Sequence, residues 1–433
     1  MTRINESFFI GFPGRNEFFY AFSSSPIIVY AGDGNDFVEG GAQTSDLIFG
    51  EGGNDCLLGV SGQDAIFGDF SANDLVGGND FISGGNGANA IFASAGDDYV
   101  SGDAGNDFID AGIGDDLVYG GADDDMILGQ NGNDVLWGGT ENPPNGSKFV
   151  NFTYQWDGNT NLPRTGTAFP TLYLAFTNTG DDFIDGGSGN DTIYGQDGRD
   201  QLFGGDGDDV IFGGEGDDAV AGEGGRDTLL LGDGADAATG GAGDDTISGE
   251  NGADVIYAEA GNDAVAGGNG ADTITGNEGD DTLWGDDANG GGALDNDALD
   301  GGSGNDALVG MNGDDLLAGR EGDDALDGGA GADTLIGGSG FDLLNGGAGV
   351  DHYVFDARNF DRDVIFGFAP GVDRIVFSSA IFASFAAVTA AARDGAGGAG
   401  LYPGAIIDAG DGDRITLAGV GFSALSAGDF LFI

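Results

Sequence analysis

Large aliphatic residues recur at every ninth position through most of this chain, each followed by a glycine-rich stretch that ends in aspartate. Gly186-Gly187-Ser188-Gly189-Asn190-Asp191-Thr192-Ile193-Tyr194 is one such unit, and Gly204 to Phe212 and Gly213 to Ala221 repeat it back to back. The pattern is G-G-x-G-x-D-x-U-x, where U is a large aliphatic residue. A fixed short period marks a stacked, quasi-one-dimensional architecture. Six residues of G-G-x-G-x-D predict a turn, because glycine supplies positive φ and lets two backbones approach. The remaining x-U-x predicts a short strand with its middle side chain turned inward. Two units make a coil, so equivalent strands lie 18 residues apart. Ile184, Ile193, Leu202, Ile211, Val220, Leu229 and Ile247 then meet between two facing sheets. The expected fold is all-β: a parallel β-roll, in two repeat blocks, with a β-rich C-terminal cap.

The period also divides the chain. Residues 1–30 alternate aromatic and polar residues and predict N-terminal cap strands. Residues 31–139 form the first block, with sixth-position acids at Asp36, Asp46, Asp55, Asp64, Asp74, Asp80, Asp98, Asp107, Asp116, Asp125 and Asp134. Spacing slips near Asp46, Asp74 and Asp80, and Asn89 replaces the acid of its unit, so irregular turns and a weak or missing metal site are expected around residues 74–98. Residues 140–178 break the period with an aromatic- and proline-rich insertion, read either as a recognition loop or as a decorated surface hairpin. Residues 179–355 form the longer block. One alternate series of acids is Asp182, Asp200, Asp218, Asp236, Asp254 and Asp272; the other is Asp191, Asp209, Asp227, Asp245, Asp263 and Asp281. After a glycine-rich insertion from Asp286 to Ala293, the register resumes with Asp297, Asp306, Asp315, Asp324, Asp333, Asp342 and Asp351. Residues 356–433 leave the nonamer. They predict strands at 363–368, 373–377, 405–417 and 429–433, with a helix over 378–393.

Composition sharpens this picture. The chain has 433 residues, with 75 acidic against 12 basic, a formal net charge of -63. High charge with abundant glycine usually marks disorder, but a disordered acidic tail does not place Ile, Leu or Val at every ninth residue. The charge argues against nucleic acid and anionic membranes as partners, and for cations. Cys56 is the only cysteine, which excludes an intrachain disulfide. No run of 18 apolar residues suggests a membrane-spanning helix. The N-terminal 30 residues lack the basic start and continuous apolar core of a secretory leader.

The turns carry the candidate chemistry. A bend of this kind points carbonyl oxygens inward beside the Asp carboxylate, and calcium takes hard oxygens of both types with loose geometry. Loops 18 residues apart would share a shell, Asp182 with Asp200 and Asp191 with Asp209. One buried aliphatic side chain per nine residues does not offset the ordering of nine backbones. Carboxylates would also stack about 4.8 Å apart, inside the roughly 8 Å screening length. Metal is therefore expected to close the fold. About thirty divalent ions would bring in roughly +60 against the formal -63. The candidate ligands are the sixth-position aspartates above, from Asp36 to Asp351, apart from Asp74 and Asp80.

These nonamers closely resemble the RTX (repeats-in-toxin) family. So do Asp351-His352-Tyr353-Val354-Phe355, Phe368 to Ile375, and the ending Leu417 to Val420 with Asp429-Phe430-Leu431-Phe432-Ile433. The resemblance implies a calcium-stabilised β-roll, export by the type I secretion machinery through an uncleaved C-terminal signal, and folding on extracellular calcium. One departure from the family's toxins and enzymes is expected to matter: only about 30 residues precede the repeats, leaving no room there for a catalytic or pore-forming domain.

No enzyme is expected. His352 is the only histidine, so an H-E-x-x-H zinc site cannot be built, and no G-x-S-x-G elbow is present. Carboxylate pairs suited to a glycosidase exist in number, but the period assigns them to calcium. Arg199 and Arg226 are candidates for a calcium-assisted lyase base. The stronger lead is a set of aromatics at outward positions: Phe49, Phe67, Tyr119, Trp137, Tyr194, Phe203, Phe212, Tyr257 and Trp284 at the ninth, and Phe37, Phe81, Tyr99, Phe108 and Phe183 at the seventh. Such rows often mark interfaces. The expected function is a secreted or cell-surface, calcium-binding structural protein of surface-layer, matrix or adhesin type. Its partners would be copies of itself or a cell-surface glycan. The alternative is a secreted carbohydrate-acting enzyme or accessory module.

Overall fold

The computed structural model describes residues 2–4, 8–11, 14–21, 26–42, 44–69, 77–139, 180–286, 295–395 and 403–433. The 140–178 insertion and Asp74 therefore lie outside the described residues. Strands from alternate units enter alternate sheets. The first sheet stacks Phe37–Glu39, Cys56–Leu58, Phe81–Ser83, Tyr99–Ala104, Leu117–Ala122, Val135–Trp137, Thr192–Asp197, Val210–Glu215 and so on. The second stacks Leu47–Phe49, Ala65–Phe67, Ala90–Ala95, Phe108–Ile113, Met126–Asn131, Phe183–Ser188 and Gln201–Asp206 in the same way. Pairing is parallel and in register: Ile184 lies opposite Leu202, which lies opposite Val220, while Ile193, Ile211 and Leu229 align on the other sheet. The result is an all-β parallel solenoid of about 17 turns.

Parallel register turns a nine-residue repeat into a core one side chain wide. Ile193, Leu202, Ile211 and Leu229 are fully buried, and the column runs unbroken from Val29 to Leu344. The residues on either side of each U face outward and are half-buried, as the period-2 alternation of a strand requires. Glycine is needed where coils touch. Gly189 has φ 134°, and a side chain there would collide with the Gly132 carbonyl of the preceding coil.

The two repeat blocks form one stack. Met126 pairs with Phe183 and Val135 with Thr192 across the 140–178 insertion, so the ladder passes it without a break. The same holds at the shorter interruptions, where Cys56 pairs with Phe81 and Thr273 with Ala298. The N-terminal strands add coils of non-nonamer sequence to the same ladders, with Phe8–Ile10 on Ile28–Tyr30 and Phe18–Ala21 on Phe37–Glu39. At the other end Tyr353 takes a core position, and Phe377, Phe382, Phe385 and Phe430 pack ring against ring over the last coil. Phe430–Phe432 is the last strand of the second sheet, on Arg374–Phe377. The antiparallel hairpin Gly404–Gly410 and Asp413–Ala418 closes the first. The helix is shorter than 378–393: it covers Phe385–Ala391, started by the Ser384 cap, because residues 378–384 form turns.

A thin core makes each U side chain count. Ile211→Ala in the calcium-loaded chain is expected to lower unfolding stability by about 2–5 kcal/mol, read as a drop in the denaturant midpoint. Phe212→Ala, one residue on and facing out, is expected to cost less. Equal losses would contradict the one-column core.

Candidate metal centre

The strands place the sixth-position aspartates in two columns, one along each edge of the roll. Asp36, Asp55, Asp80, Asp98, Asp116, Asp134, Asp191, Asp209, Asp227, Asp245, Asp263, Asp281, Asp306, Asp324, Asp342 and Asp363 form the first. In each step the backbone N–H of one aspartate donates to Oδ1 of the next, at 2.6–3.1 Å. Asp46, Asp64, Asn89, Asp107, Asp125, Asp182, Asp200, Asp218, Asp236, Asp254, Asp272, Asp297, Asp315, Asp333, Asp351 and Asp373 form the second, at 2.7–3.3 Å. A second ladder runs the opposite way through exposed fifth positions: Asp208 N–H donates to Asn190 Oδ1, and Arg226 N–H to Asp208 Oδ1.

One oxygen of each carboxylate is thus fixed, and the other is stranded. From Asp98 to Asp134 and from Asp191 to Asp351, Oδ2 of every sixth-position aspartate is buried with no partner among the described residues. Asp36, Asp55, Asp64, Asp80 and Asp363 show the same. A buried, unpaired carboxylate oxygen is costly unless a cation faces it.

The turn supplies the space for one. Where a side chain on Gly186 would begin, Asp191 Oδ2 is 2.5 Å away and the Gly204 carbonyl of the next coil 2.6 Å away. Gly222 has Asp227 Oδ2 at 2.5 Å and Gly240 O at 2.6 Å, and Gly240 has Asp245 Oδ2 and Ala258 O both at 2.6 Å. These converging oxygens suit calcium, whose oxygen ligands stand at about 2.3–2.6 Å. Among the described residues no three acidic, histidine or cysteine side chains converge on one point. The oxygens that meet in these turns are therefore a side-chain oxygen and a carbonyl of the next coil.

Burial raises the pKa of most of these carboxyls, chiefly by desolvation, against the opposing effect of the backbone N–H they accept. Asp80 is pushed up to about 10, Asp125 and Asp363 to about 9, and Asp55 and Asp200 to about 8. The ladder neighbours add to the rise: Asp55 on Asp80, and Asp182 on both Asp125 and Asp200.

A family model for the RTX calcium-binding nonapeptide repeat (4 copies) matches residues 30–66, 74–109, 110–142, 176–210, 194–229, 230–265, 260–290, 292–326, 300–335 and 327–357, more than half of the chain. The chain belongs to this RTX repeat family. Its repeats imply calcium binding, and RTX repeat proteins are typically secreted. Two similar solved structures are an extracellular lipase, LipA, from Serratia marcescens and a hyperactive, Ca2+-dependent, β-helical antifreeze protein from an Antarctic bacterium. The lipase is 20% identical, with a TM-score of 0.25 over 60% of this chain, and the match spans only 41% of the lipase's length. The antifreeze protein is 14% identical, with a TM-score of 0.23 over 86% of this chain and 83% of its own. No curated protein matches the sequence.

The RTX ladders depart from the sequence reading at several positions. Asp80 stands in register, its Oδ1 accepting from Asp55 N–H at 2.7 Å, because Cys56 pairs with Phe81 across residues 70–76, which the nonamer count includes. Irregularity there narrows to Asn89. Asn89 Oδ1 keeps the rung, at 2.9 Å from Asp64 N, but its amide nitrogen faces the Gly84 cradle where other turns present oxygen. Asp46 has no stranded oxygen, since Gly41 N–H and the Thr44 hydroxyl serve Oδ2. Asp363 and Asp373 extend the columns beyond Asp351. Asp363 opens D-V-I-F within the strand Arg362–Phe366 and Asp373 opens D-R-I-V-F before Arg374–Phe377, signals that strict nonamer counting passes over. His352 lies within a strand between Thr334 and Arg374. Arg199 makes an exposed 3.3 Å ion pair with Asp181, and burial pushes the Cys56 thiol up to about 12.

The ladder carboxyls hold protons to a higher pH in the metal-free RTX roll than in the unfolded chain. Their stabilising contribution is thus full below the unfolded pKa of about 3.8 and is lost as pH rises through about 6 to 10. The metal-free chain is expected to keep more β signal near pH 4 than at pH 8 by circular dichroism. Calcium binds the ionised form, so folding on calcium at pH 7 is expected to release protons into a weak buffer. A metal-free chain that gains β structure with rising pH would contradict the buried ladders.

Asn89→Asp is expected to complete the second column and add one bound calcium per chain, counted by elemental analysis, with a modest gain in thermal midpoint. An unchanged count would show that the nitrogen is not what weakens that turn.

Proposed function

We propose that the protein is a secreted, non-catalytic structural component that folds on extracellular calcium and assembles at a surface, as a surface-layer, matrix or adhesin constituent. The observation that carries this reading is the pair of outward aromatic rows. Tyr30, Phe49, Phe67 and Phe92 stack ring on ring along the second sheet, with centroids 4.5, 4.8 and 4.9 Å apart. On the first sheet Trp137, Tyr194 and Phe212 stack at 3.9 and 4.7 Å, continued through Tyr119 toward Tyr99 and Phe81. The spacing is that of the coils, so parallel register alone builds the row. Rings in a row cover each other's faces and leave their edges to solvent. A sugar platform needs free faces, so the rows favour packing against another flat sheet over the alternative of a carbohydrate-acting or accessory module. Calcium supports the same reading by removing the charge that would hold neighbouring rolls apart.

Export through the C-terminal segment 356–433 belongs to this proposal, supported by the Asp429-to-Ile433 ending. Light scattering and electron microscopy at rising calcium are expected to show ordered sheets or filaments at millimolar concentrations, weakened by Phe203→Ser with Phe212→Ser. A strict monomer at high concentration in saturating calcium would rule out self-assembly and shift the weight to a cell-surface glycan partner.

A further inference from the structure

Three long insertions enter the roll at 70–76, 140–178 and 287–293, each directly after the second position of a turn. Two of these are preceded by a Gly–Asp pair, Gly68-Asp69 and Gly285-Asp286; the third follows Gly138-Gly139. Elsewhere an acid at the second position, such as Glu51, Glu223, Glu250 or Glu259, has positive φ and is exposed or half-buried. Asp69 and Asp286 differ. They are 7% and 1% exposed, and Oδ1 of each is buried with no partner among the described residues.

The other oxygen has structural work in both cases. Asp69 Oδ2 accepts from Gly78 N–H at 2.9 Å, across the mouth of the insertion. Asp286 Oδ2 accepts from the N–H and side-chain amide of Asn312 at 3.0 and 3.1 Å. A turn-closing role would need nothing more than this, and asparagine would fill it while leaving no buried anion. The stranded Oδ1 is what such a role does not explain. The charge of Asp69 bears on Asp55, Asp80 and Asp98, and that of Asp286 on Asp272, Asp297 and Asp315, in each case three successive rungs of one column.

We propose that Asp69 and Asp286 each add a second carboxylate to the calcium site of an interrupted turn, beside Asp80 and Asp297, and that these two sites release calcium last. This rests on reading the turns as calcium sites. The interrupted turns keep the oxygen pair of the others, since Asp80 Oδ2 and the Ala93 carbonyl meet at Gly68 and Asp297 Oδ2 and the Gly310 carbonyl meet at Gly285, and the second carboxylate adds a further oxygen to that pair. It also raises the ligand charge, which tightens calcium sites.

The test is calcium release from the full chain into excess fluorescent chelator. Wild type is expected to show a main phase and a two-ion phase at least about tenfold slower. Asp69→Asn and Asp286→Asn should each remove one slow ion, the double variant both, and Glu223→Gln neither. The main phase, from turns elsewhere in the roll, reports folding in the same trace. Should it collapse in an Asn variant, Asp69→Glu and Asp286→Glu are read instead: they keep the charge, so retained slow ions support the proposal and their loss overturns it. A folded double variant with an undiminished slow phase, or a wild type with a single phase, also overturns it. A wild type that binds no calcium would instead remove the underlying reading of the turns.

Discussion

A stranded carboxylate oxygen in most of the described turns sets the terms for the rest of this molecule. In these turns Oδ1 of the aspartate is committed to the neighbouring coil through a backbone N–H, which fixes the carboxylate and leaves Oδ2 buried beside a carbonyl of the next coil, as at Asp191. Burying so many anions is prohibitive without counter-charge. The aliphatic column offers no alternative anchor, since it is one side chain wide. The same aspartate thus aligns adjacent coils and makes their alignment conditional on a cation. Folding and metal binding are then expected to be coupled, as in other small-cored metal proteins.

Most of this was legible in the sequence because a period fixes both ends of each contact. Once Asp191 and Asp209 occupy equivalent positions one coil apart, parallel stacking dictates that they meet, and Ile193 and Ile211 with them. Local departures were less legible. Asp80 reads as out of phase because counting includes residues 70–76, across which Cys56 pairs with Phe81. The direction of the rung, amide of one coil to carboxylate of the next, depends on turn geometry that residue identity does not encode. The N-terminal strands join the stack without any nonamer, because a solenoid edge accepts whatever sequence can present a parallel strand with one buried residue. The C-terminal cap needs larger side chains, hence Tyr353 and a cluster of phenylalanines where the repeat offers isoleucine or leucine.

Exact register also converts sequence coincidences into surface features. An aromatic residue at the ninth position is unremarkable alone. In successive coils it becomes a ring stacked at the coil spacing, as with Trp137 and Tyr194, which are 57 residues apart in sequence and 3.9 Å apart in space. Charge follows the same rule at the edges. Fifth-position Asn and Asp residues form an exposed ladder that ties coils together in the direction opposite to the buried one. Where the fifth position is Asn or Asp, the roll is therefore cross-linked by two opposed side-chain-to-backbone rungs, one wet and one buried.

The position of the insertions shows what the stack can and cannot give up. All three long ones fall between the second and third positions of a turn, and a smaller slip near Gln43 falls in the same half. The rungs belong to positions five and six and the aliphatic column to position eight, so both lie clear of the insertion point; what is cut short is the pairing at positions two and three, since Ala65–Phe67, Val135–Trp137 and Thr282–Trp284 stop at the ninth position whereas Phe183–Ser188 runs on to the third. An insertion after the sixth position would part the aspartate from its strand and break ladder and sheet together. What the permitted insertions do disturb is the first half of the turn, where the carbonyl oxygens are. The oxygen shell, not the hydrophobic core, is then the part of the coil nearest such an insertion, and at two of the three a buried aspartate, Asp69 or Asp286, stands at its base.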